Sequence, residues 1–459
     1  MKTGKYFRHV NFLITLAFSF IFLGQGLWLS STLYARSADK PKQKQSLAKT
    51  KKKSARPVAP RPESLPWPQN LLTLVRDGAV LLVDTHAPQG RPRELYAYNA
   101  EKLYVPASIL KIVTSEAALE FLGPDFRFKT DFLLTKTNDL WIVGYGDPYL
   151  VSEELVVIVR ELQKRGLKEV RHLYIDDSYF EANLILDGNT QTRALYDAYN
   201  GAFSVNFNTV SFQKTKKGQV IRAAAHLPVT PLALKLAAQN KEGGTYQLNI
   251  SESPEEAEFN AGETFKAHLE EAGIRMYGVI FTGHPAPEQR KIFYRHESSK
   301  TLEDLVRELI KYSNNFITNQ IFLSLGAELY GPPATLVKSQ QAMNFFFQRH
   351  GLKPITMGDG SGLSRQTTLT ARQMAGILKV SEPDRYLLTP GDKGLILFKT
   401  GTMSDIKTMA GYLERPDNPG RPISFVILLN GPNYVGVRNR VLDILKNRFL
   451  SSPPSASGR

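Results

Sequence analysis

The chain has 459 residues, 42% hydrophobic and 22% charged, with a formal net charge of +15 and no cysteine. This is ordinary globular composition with enough apolar material for a large core, and it excludes disulfides, thiolate nucleophiles and cysteine-based metal sites. The positive charge does not make a nucleic-acid surface: residues 1–62 hold thirteen Lys and Arg against one acid, Asp39, so +12 is N-terminal and +3 remains for the rest.

Lys2, Lys5 and Arg8 precede an apolar run from Phe12 to Leu23, and small residues follow at "YARSA" (34–38). That order predicts a secretory signal over residues 1–37, cleaved after Ala35 or Ser37. The alternative is an uncleaved anchor over 12–33, and under both readings the remainder is exported to the periplasm or cell envelope. Residues 38–64 are rich in Lys, Pro, Ser, Ala and Gln and bury too little to offset their ordering entropy, so they read as a basic tether. A tether of that charge is suited to an anionic membrane or envelope surface, although a solvated spacer is the plainer reading. Residues 451–459 read as a flexible tail.

Folded material begins near Pro66 with a short helix (68–76) and two strands, "GAVLLVD" (78–84) and "ELYAYNA" (94–100). The next stretch, "VPASILKIVTSEAALEFLG" (105–123), reads as a buried helix stopped by Gly123-Pro124, yet Lys111 stands among its aliphatics. Short strand-like runs follow at 140–144, 172–177, 245–250 and 276–281, with helices at 153–164 and 262–273. Helices then cover 301–312, 316–329 and 333–351, before strands at 394–402 and 423–430 and a last helix over 433–449. The pattern predicts one α/β unit at 65–135, resumed at 297–450, interrupted by an inserted α+β part at 136–296.

None of the eight histidines lies in a G-x-S-x-G elbow or an H-E-x-x-H pair, so a Ser-His-Asp triad and a zinc site are poorly supported. A Ser-x-x-Lys pair is the alternative. Its matches include Ser46/Lys49, Ser108/Lys111 and Ser211/Lys214, and of these only Ser108 opens an apolar helix, behind Pro106. A spacing of three puts Lys111 on the same helix face as Ser108. The helix N-terminus favours a negative oxygen there, and apolar neighbours disfavour an ammonium, which makes Lys111 a possible neutral base. By itself the motif is matched evenly by a structural lysine that snorkels outward. Ser313-Asn314-Asn315, at a break between helices, and Lys399-Thr400-Gly401, ending an apolar strand, follow in order and decide for chemistry over packing. Ser204/Asn206 and Lys2-Thr3-Gly4 are decoys by position.

With these three motifs the sequence resembles the class C low-molecular-mass penicillin-binding proteins, the serine-type D-Ala-D-Ala carboxypeptidase/endopeptidases. "DGSGLSR" (359–365) and "FKTGTMSDIKTMAGYL" (398–413) look like blocks of that subgroup, and "LWIVGYGDPYL" (140–150), "YIDDSYF" (174–180) and "FSVNFNTV" (203–210) look like its inserted regions. The resemblance runs from about Pro66 to Leu450. It implies the antiparallel sheet flanked by helices of the penicillin-binding protein and serine β-lactamase fold, with no cofactor, and an acyl-enzyme route on peptidoglycan stem peptides that β-lactams block covalently. Ser108 would attack, Lys111 would take its proton, and the N–H groups of Ser108 and Thr402 would hold the oxyanion. Ser313 would relay a proton to the leaving amine, Asn315 would hold the substrate amide, and Lys399, Thr400 and Gly401 would receive the terminal carboxylate. Asp176 (or Asp177) and Phe180 would touch the stem side chain.

Two departures stand out. Residues 366–398 are shorter than the family's usual stretch, and Asn319 occupies a position expected to be acidic. A serine β-lactamase and a non-catalytic peptidoglycan-binding protein are the competing readings; the insertion argues against the first, and the short segment motivates the second.

Overall fold

The computed structural model describes residues 69–87, 93–250, 253–286, 291–416, 418–432 and 434–450. The expected signal, basic tether and tail lie outside the described residues. Among those residues, no helix is long and apolar enough to cross a membrane.

A six-stranded sheet runs in the order Thr389–Gly391, Ile396–Thr402, Ile406–Leu413, Ile423–Asn430, Ala79–Asp84, Arg93–Tyr98, with every neighbouring pair antiparallel. Strands from the two ends of the chain therefore meet at its centre. The middle strands "AVLLVD" and "ISFVILLN" read as continuous apolar runs because both faces of the sheet are covered. Ala79, Leu81 and Val83 face one core, and Val80 and Leu82 face another shared with the last helix, Val437–Phe449. This is the period-2 alternation of a strand sorted into two layers.

On the first face lies the Leu110–Leu122 helix, buried from Leu110 to Leu119 on all sides. It packs against the helices Leu302–Tyr312, Asn315–Tyr330 and Leu336–Arg349. The Leu302–Tyr312 helix starts in a capping box, Thr301 with Asp304. This enclosure is what desolvates Lys111.

Residues between 129 and 297 build separate cores. A five-stranded mixed sheet, ordered Ile280–Thr282, Leu173–Asp176, Leu140–Gly144, Lys129–Leu134, Ile292–Glu297, packs on the helices Ser152–Lys164 and Pro254–Glu271. A three-stranded sheet, Gly244–Asn249, Thr209–Lys214, Val220–Arg222, packs on the Pro231–Gln239 helix.

Several elements differ from the sequence reading. Strand Lys129–Leu134, grouped above with the first unit, is hydrogen-bonded inside the five-stranded sheet. The 276–281 strand divides into Arg275–Met276 and Ile280–Thr282, because Gly278 passes so close to Arg171 and His172 that a Cβ would overlap both. The helix expected from 262 begins at Pro254, where Ser253 caps it. The segment 366–398 contains a further helix, Ala371–Val380, capped by Thr370 and Gln373.

Candidate active site

Ser108 stands in a single 3-10 turn, Ala107–Ile109, that feeds directly into the Leu110–Leu122 helix. Ala107 is left-handed, at φ +50°. Two contacts hold this turn against the sheet: Thr408 Oγ1 donates to Pro106 O at 2.6 Å, and Gly401 lies so close that a Cβ would overlap Thr408 Oγ1 and Pro106 O. Glycine at position 401 is thus a steric requirement of docking the strand on the turn.

Lys111 is fully buried. Its Nζ is 3.2 Å from Ser108 Oγ, 2.7 Å from Asn315 Oδ1 and 2.7 Å from Ser361 O. The last two neighbours only accept, whereas Ser108 can also donate. An uncharged amine, with two N–H groups and one lone pair, satisfies all three. Its pKa is held well below the ordinary lysine value by burial and then by the charge of Lys399, which together outweigh the opposing effect of Asp359.

Asp359 organises the loop that supplies Ser361 O. Wholly buried, it accepts from the N–H groups of Ser361, Gly362, Leu363 and Ser364 at 3.0–3.2 Å and from Ser361 Oγ at 2.5 Å. Gly360 O takes a 2.7 Å bond from Thr114 Oγ1, one turn along the helix from Lys111. Gly362 is at φ +83°, and a Cβ there would overlap the Ala107 carbonyl. The loop is thereby shaped to the underside of the Ser108 turn. Asn319 belongs to the same support, accepting from Gly360 N at 3.0 Å.

Ser313 ends the Leu302–Tyr312 helix in a left-handed conformation, φ 57° and ψ 36°. Asn314 then caps the next helix, accepting from Ile317 N at 3.0 Å. This sharp corner presents Ser313 Oγ to Lys399 Nζ, at 2.9 Å, and Asn315 Oδ1 to Lys111. Asn315 Nδ2 donates to Tyr196 O at 3.1 Å, which fixes the orientation of the amide. Lys399, 3% exposed, also donates to Thr400 O at 3.0 Å. Its pKa is lowered to about 8 by burial and then by Arg438. Thr402 is exposed at the end of the same strand.

Ser108, Lys111 and Asn315 thus form one hydrogen-bonded group and Ser313 with Lys399 a second, and the 313–315 corner contributes a residue to each. Asp176 and Phe180 join neither. Asp176 accepts from Ser178 and lies 3.0 Å from His284, and Phe180 is 2% exposed in the main core. Asp177 is half-buried, accepting from Phe203 N, and desolvation first, then Glu258, pushes its carboxyl well above the usual range. The cleft beside Asn315 and Asn319 is lined instead by Asp187, Asn189, Tyr196 and Leu363. Sequence reasoning missed these residues, and missed the contact of Ser361 O with Lys111; only the "DGSGLSR" block signalled that its loop mattered. Among the described residues, no group of three or more His, Asp or Glu is placed to hold a metal ion.

The profile of the D-Ala-D-Ala carboxypeptidase 3 (S13) family matches residues 82–389. The chain belongs to this family. It is therefore a serine-type D-Ala-D-Ala carboxypeptidase of the carboxypeptidase/endopeptidase group, as the sequence resemblance implied. It is 26% identical over 428 residues to a D-alanyl-D-alanine carboxypeptidase of Actinomadura, with 77% of each chain covered. It is 23% identical to a D-alanyl-D-alanine carboxypeptidase of Haemophilus influenzae, covering 73% of this chain and 82% of the other. The crystal structure of penicillin-binding protein 4 from H. influenzae superposes with a TM-score of 0.67 at 20% identity, covering 82% of this chain and 98% of that one. That protein has also been crystallised with a β-lactam. The fold class expected from sequence, an antiparallel sheet flanked by helices, is that of these structures.

Proposed function

We propose that Ser108 is the acylating nucleophile and Lys111 its general base. The observation that carries this reading is the environment of the lysine: wholly buried, 3.2 Å from Ser108 Oγ, and driven toward the neutral amine by burial and by the charge of Lys399. The Ser108 hydroxyl proton passes to Lys111 Nζ as Oγ bonds to the carbonyl carbon between the two D-alanines. The oxyanion is held by the N–H groups of Ser108 and Thr402. Collapse breaks the C–N bond, and the departing amine takes through Ser313 the proton that Lys111 had received, which leaves Lys111 neutral again while Lys399, 2.9 Å from the Ser313 hydroxyl, stays charged. Asn315 orients the substrate amide; Lys399 and Thr400, with Gly401 admitting the close approach, receive the terminal carboxylate. Water then attacks the ester, its proton returned through Lys111.

On this reading the substrates are peptidoglycan stem peptides, and β-lactams acylate Ser108 as covalent inhibitors. We place the enzyme in the periplasm or cell envelope, delivered by residues 1–37 and held near anionic membrane surfaces by the basic 38–64 segment. The peptidase unit comprises the N- and C-terminal parts of the chain, and the inserted region runs from strand Lys129–Leu134 to strand Ile292–Glu297, whose antiparallel pairing brings its two ends together. Asp176 and Phe180 have no part in this reading. The test is release of D-alanine from a pentapeptide ending in D-Ala-D-Ala. Turnover lost in Ser108→Ala supports the assignment; turnover retained in that variant overturns it.

A further inference from the structure

Lys111 Nζ donates to Asn315 Oδ1 and to Ser361 O, and each of these acceptors is braced by the inserted region. The brace is the loop 184–200, between strand Leu173–Asp176 and strand Thr209–Lys214. The loop holds its own shape: buried Asp197 accepts from Thr190 N at 2.9 Å, Thr190 Oγ1 at 2.7 Å and Thr192 N at 2.9 Å. Leu186 anchors it in the main core. At its first end, half-buried Asp187 accepts from Ser364 Oγ, and from Gln366 Nε2 at 3.4 Å. Ser364 Oγ itself accepts from Gln366 N at 3.1 Å and Thr367 N at 3.3 Å, so its one hydrogen is directed to Asp187. Gly188, at φ +86°, lies so close to Leu363 and Ser364 that a Cβ would overlap their backbone. Ser364 N donates to Asp359 at 3.2 Å, and Asp359 fixes Ser361. At the other end, Tyr196 O accepts from Asn315 Nδ2 at 3.1 Å, and Asn200 Nδ2 donates to Phe316 O at 3.2 Å. A single loop of the insertion thus holds, at one remove, both of these acceptors on the lysine.

We propose that Asp187 is a positioning residue for the reaction: through Ser364 and the 359–364 loop it keeps Ser361 O on Lys111, and so keeps the amine facing Ser108. The inference rests on the reading of Lys111 as the general base, and it gives the inserted region a share in the chemistry without any contact with substrate. A lysine amine is carried on a flexible four-carbon stem, so its direction is set by the groups it bonds. Loss of the carboxylate frees the Ser364 hydroxyl and loosens the loop that bears Ser361 O. The amine can then swing away from Ser108 Oγ, 3.2 Å from it in the braced state.

The test times acylation of the full chain by a fluorescent penicillin. Asp187→Ala should slow it about 10- to 100-fold, the scale of a misplaced catalytic group. Asp187→Asn keeps an acceptor for Ser364 and should recover most of the rate. In Lys111→Met the same alanine change should cost less than about 2-fold, because the group that Asp187 positions is gone. A wild-type rate in Asp187→Ala would overturn the proposal, as would an asparagine variant as slow as the alanine one. An equal loss with and without Lys111 would mark a merely structural role and overturn it too. A thermal melt checks that each variant is folded; if Asp187→Ala is not, Ser364→Ala removes the same contact from the other side and is held to the same outcomes. If Lys111→Met is itself acylated at the wild-type rate, the base assignment falls and this proposal with it. A slow Lys111→Met beside a wild-type Asp187→Ala overturns the proposal alone.

Discussion

The helix wall and the strand wall of the cleft each bury a lysine, and they treat it in different ways. Lys111 is enclosed on every side, touching two carbonyl-type oxygens and one hydroxyl, and is driven strongly toward the neutral form. Lys399 lies at the edge of the sheet and is shifted only to about 8, so it stays largely protonated at neutral pH. The same side chain is thus set up as a base on one wall and as a cation on the other. The difference comes from depth of burial: each desolvates its ammonium, and the more enclosed one loses its proton. After burial, the charge on Lys399 further lowers the affinity of Lys111 for a proton and so helps to keep it neutral.

The largest effect expected is from Ser108→Ala, which should reduce D-alanine release by about 10⁴-fold or more, as removal of a serine nucleophile does. The two lysines should then separate. Lys111→Met should lower the acylation rate by about 10²- to 10⁴-fold, the range for a general base, with little change in KM. Lys399→Met should act mainly on KM, by about 10- to 100-fold for a charge-assisted contact. Stopped-flow acylation and steady-state kinetics on both variants check this, and equal effects on kcat would erase the distinction drawn between the walls.

The pH dependence sharpens the same contrast. In the free enzyme Lys399 loses its proton above about pH 8, so kcat/KM for a carboxylate-ended peptide should fall above that pH, and the limb should be missing in Lys399→Met. For stability, a lysine whose folded pKa is depressed contributes most above its unfolded value of 10.5, and that contribution is lost as pH falls through 8. At pH 7 the cost is of order 3 kcal/mol by linkage. Lys399→Met should therefore gain on the wild type in urea midpoint at pH 7, with the gap narrowing toward pH 10.5. The smallest effect belongs to the ion pair joining the two walls at the rim. Asp405 is held at about 2, chiefly by Arg365 at 2.7 Å, yet both are largely exposed. Asp405→Asn should cost under about 1 kcal/mol in a denaturant titration, and less at high salt.

The parts legible in the sequence were those where one segment carries its own signal. Ser108 and Lys111 sit one turn apart on an apolar helix, Ser313 to Asn315 interrupt two helices, and Lys399 to Gly401 end an apolar strand. The central strands were readable because burial on both faces leaves uninterrupted apolar runs. What escaped was tertiary. Nothing local says that Ser361 O would meet Lys111 across 250 positions, or that Arg438 would reach Gly401. Phe180 shows the converse: an aromatic inside a family-like block, whose ring proves to be core packing. Gly278 splits a run that reads as one strand, through a close approach that only the folded chain reveals.

The central claim is that one serine, activated by one buried lysine, becomes acylated. Its most direct test is to incubate the full chain with penicillin, digest it and locate the adduct by mass spectrometry. The account predicts a single adduct on the peptide containing Ser108, absent from Ser108→Ala and strongly slowed in Lys111→Met. An adduct on another serine, or one that persists in Ser108→Ala, would contradict it.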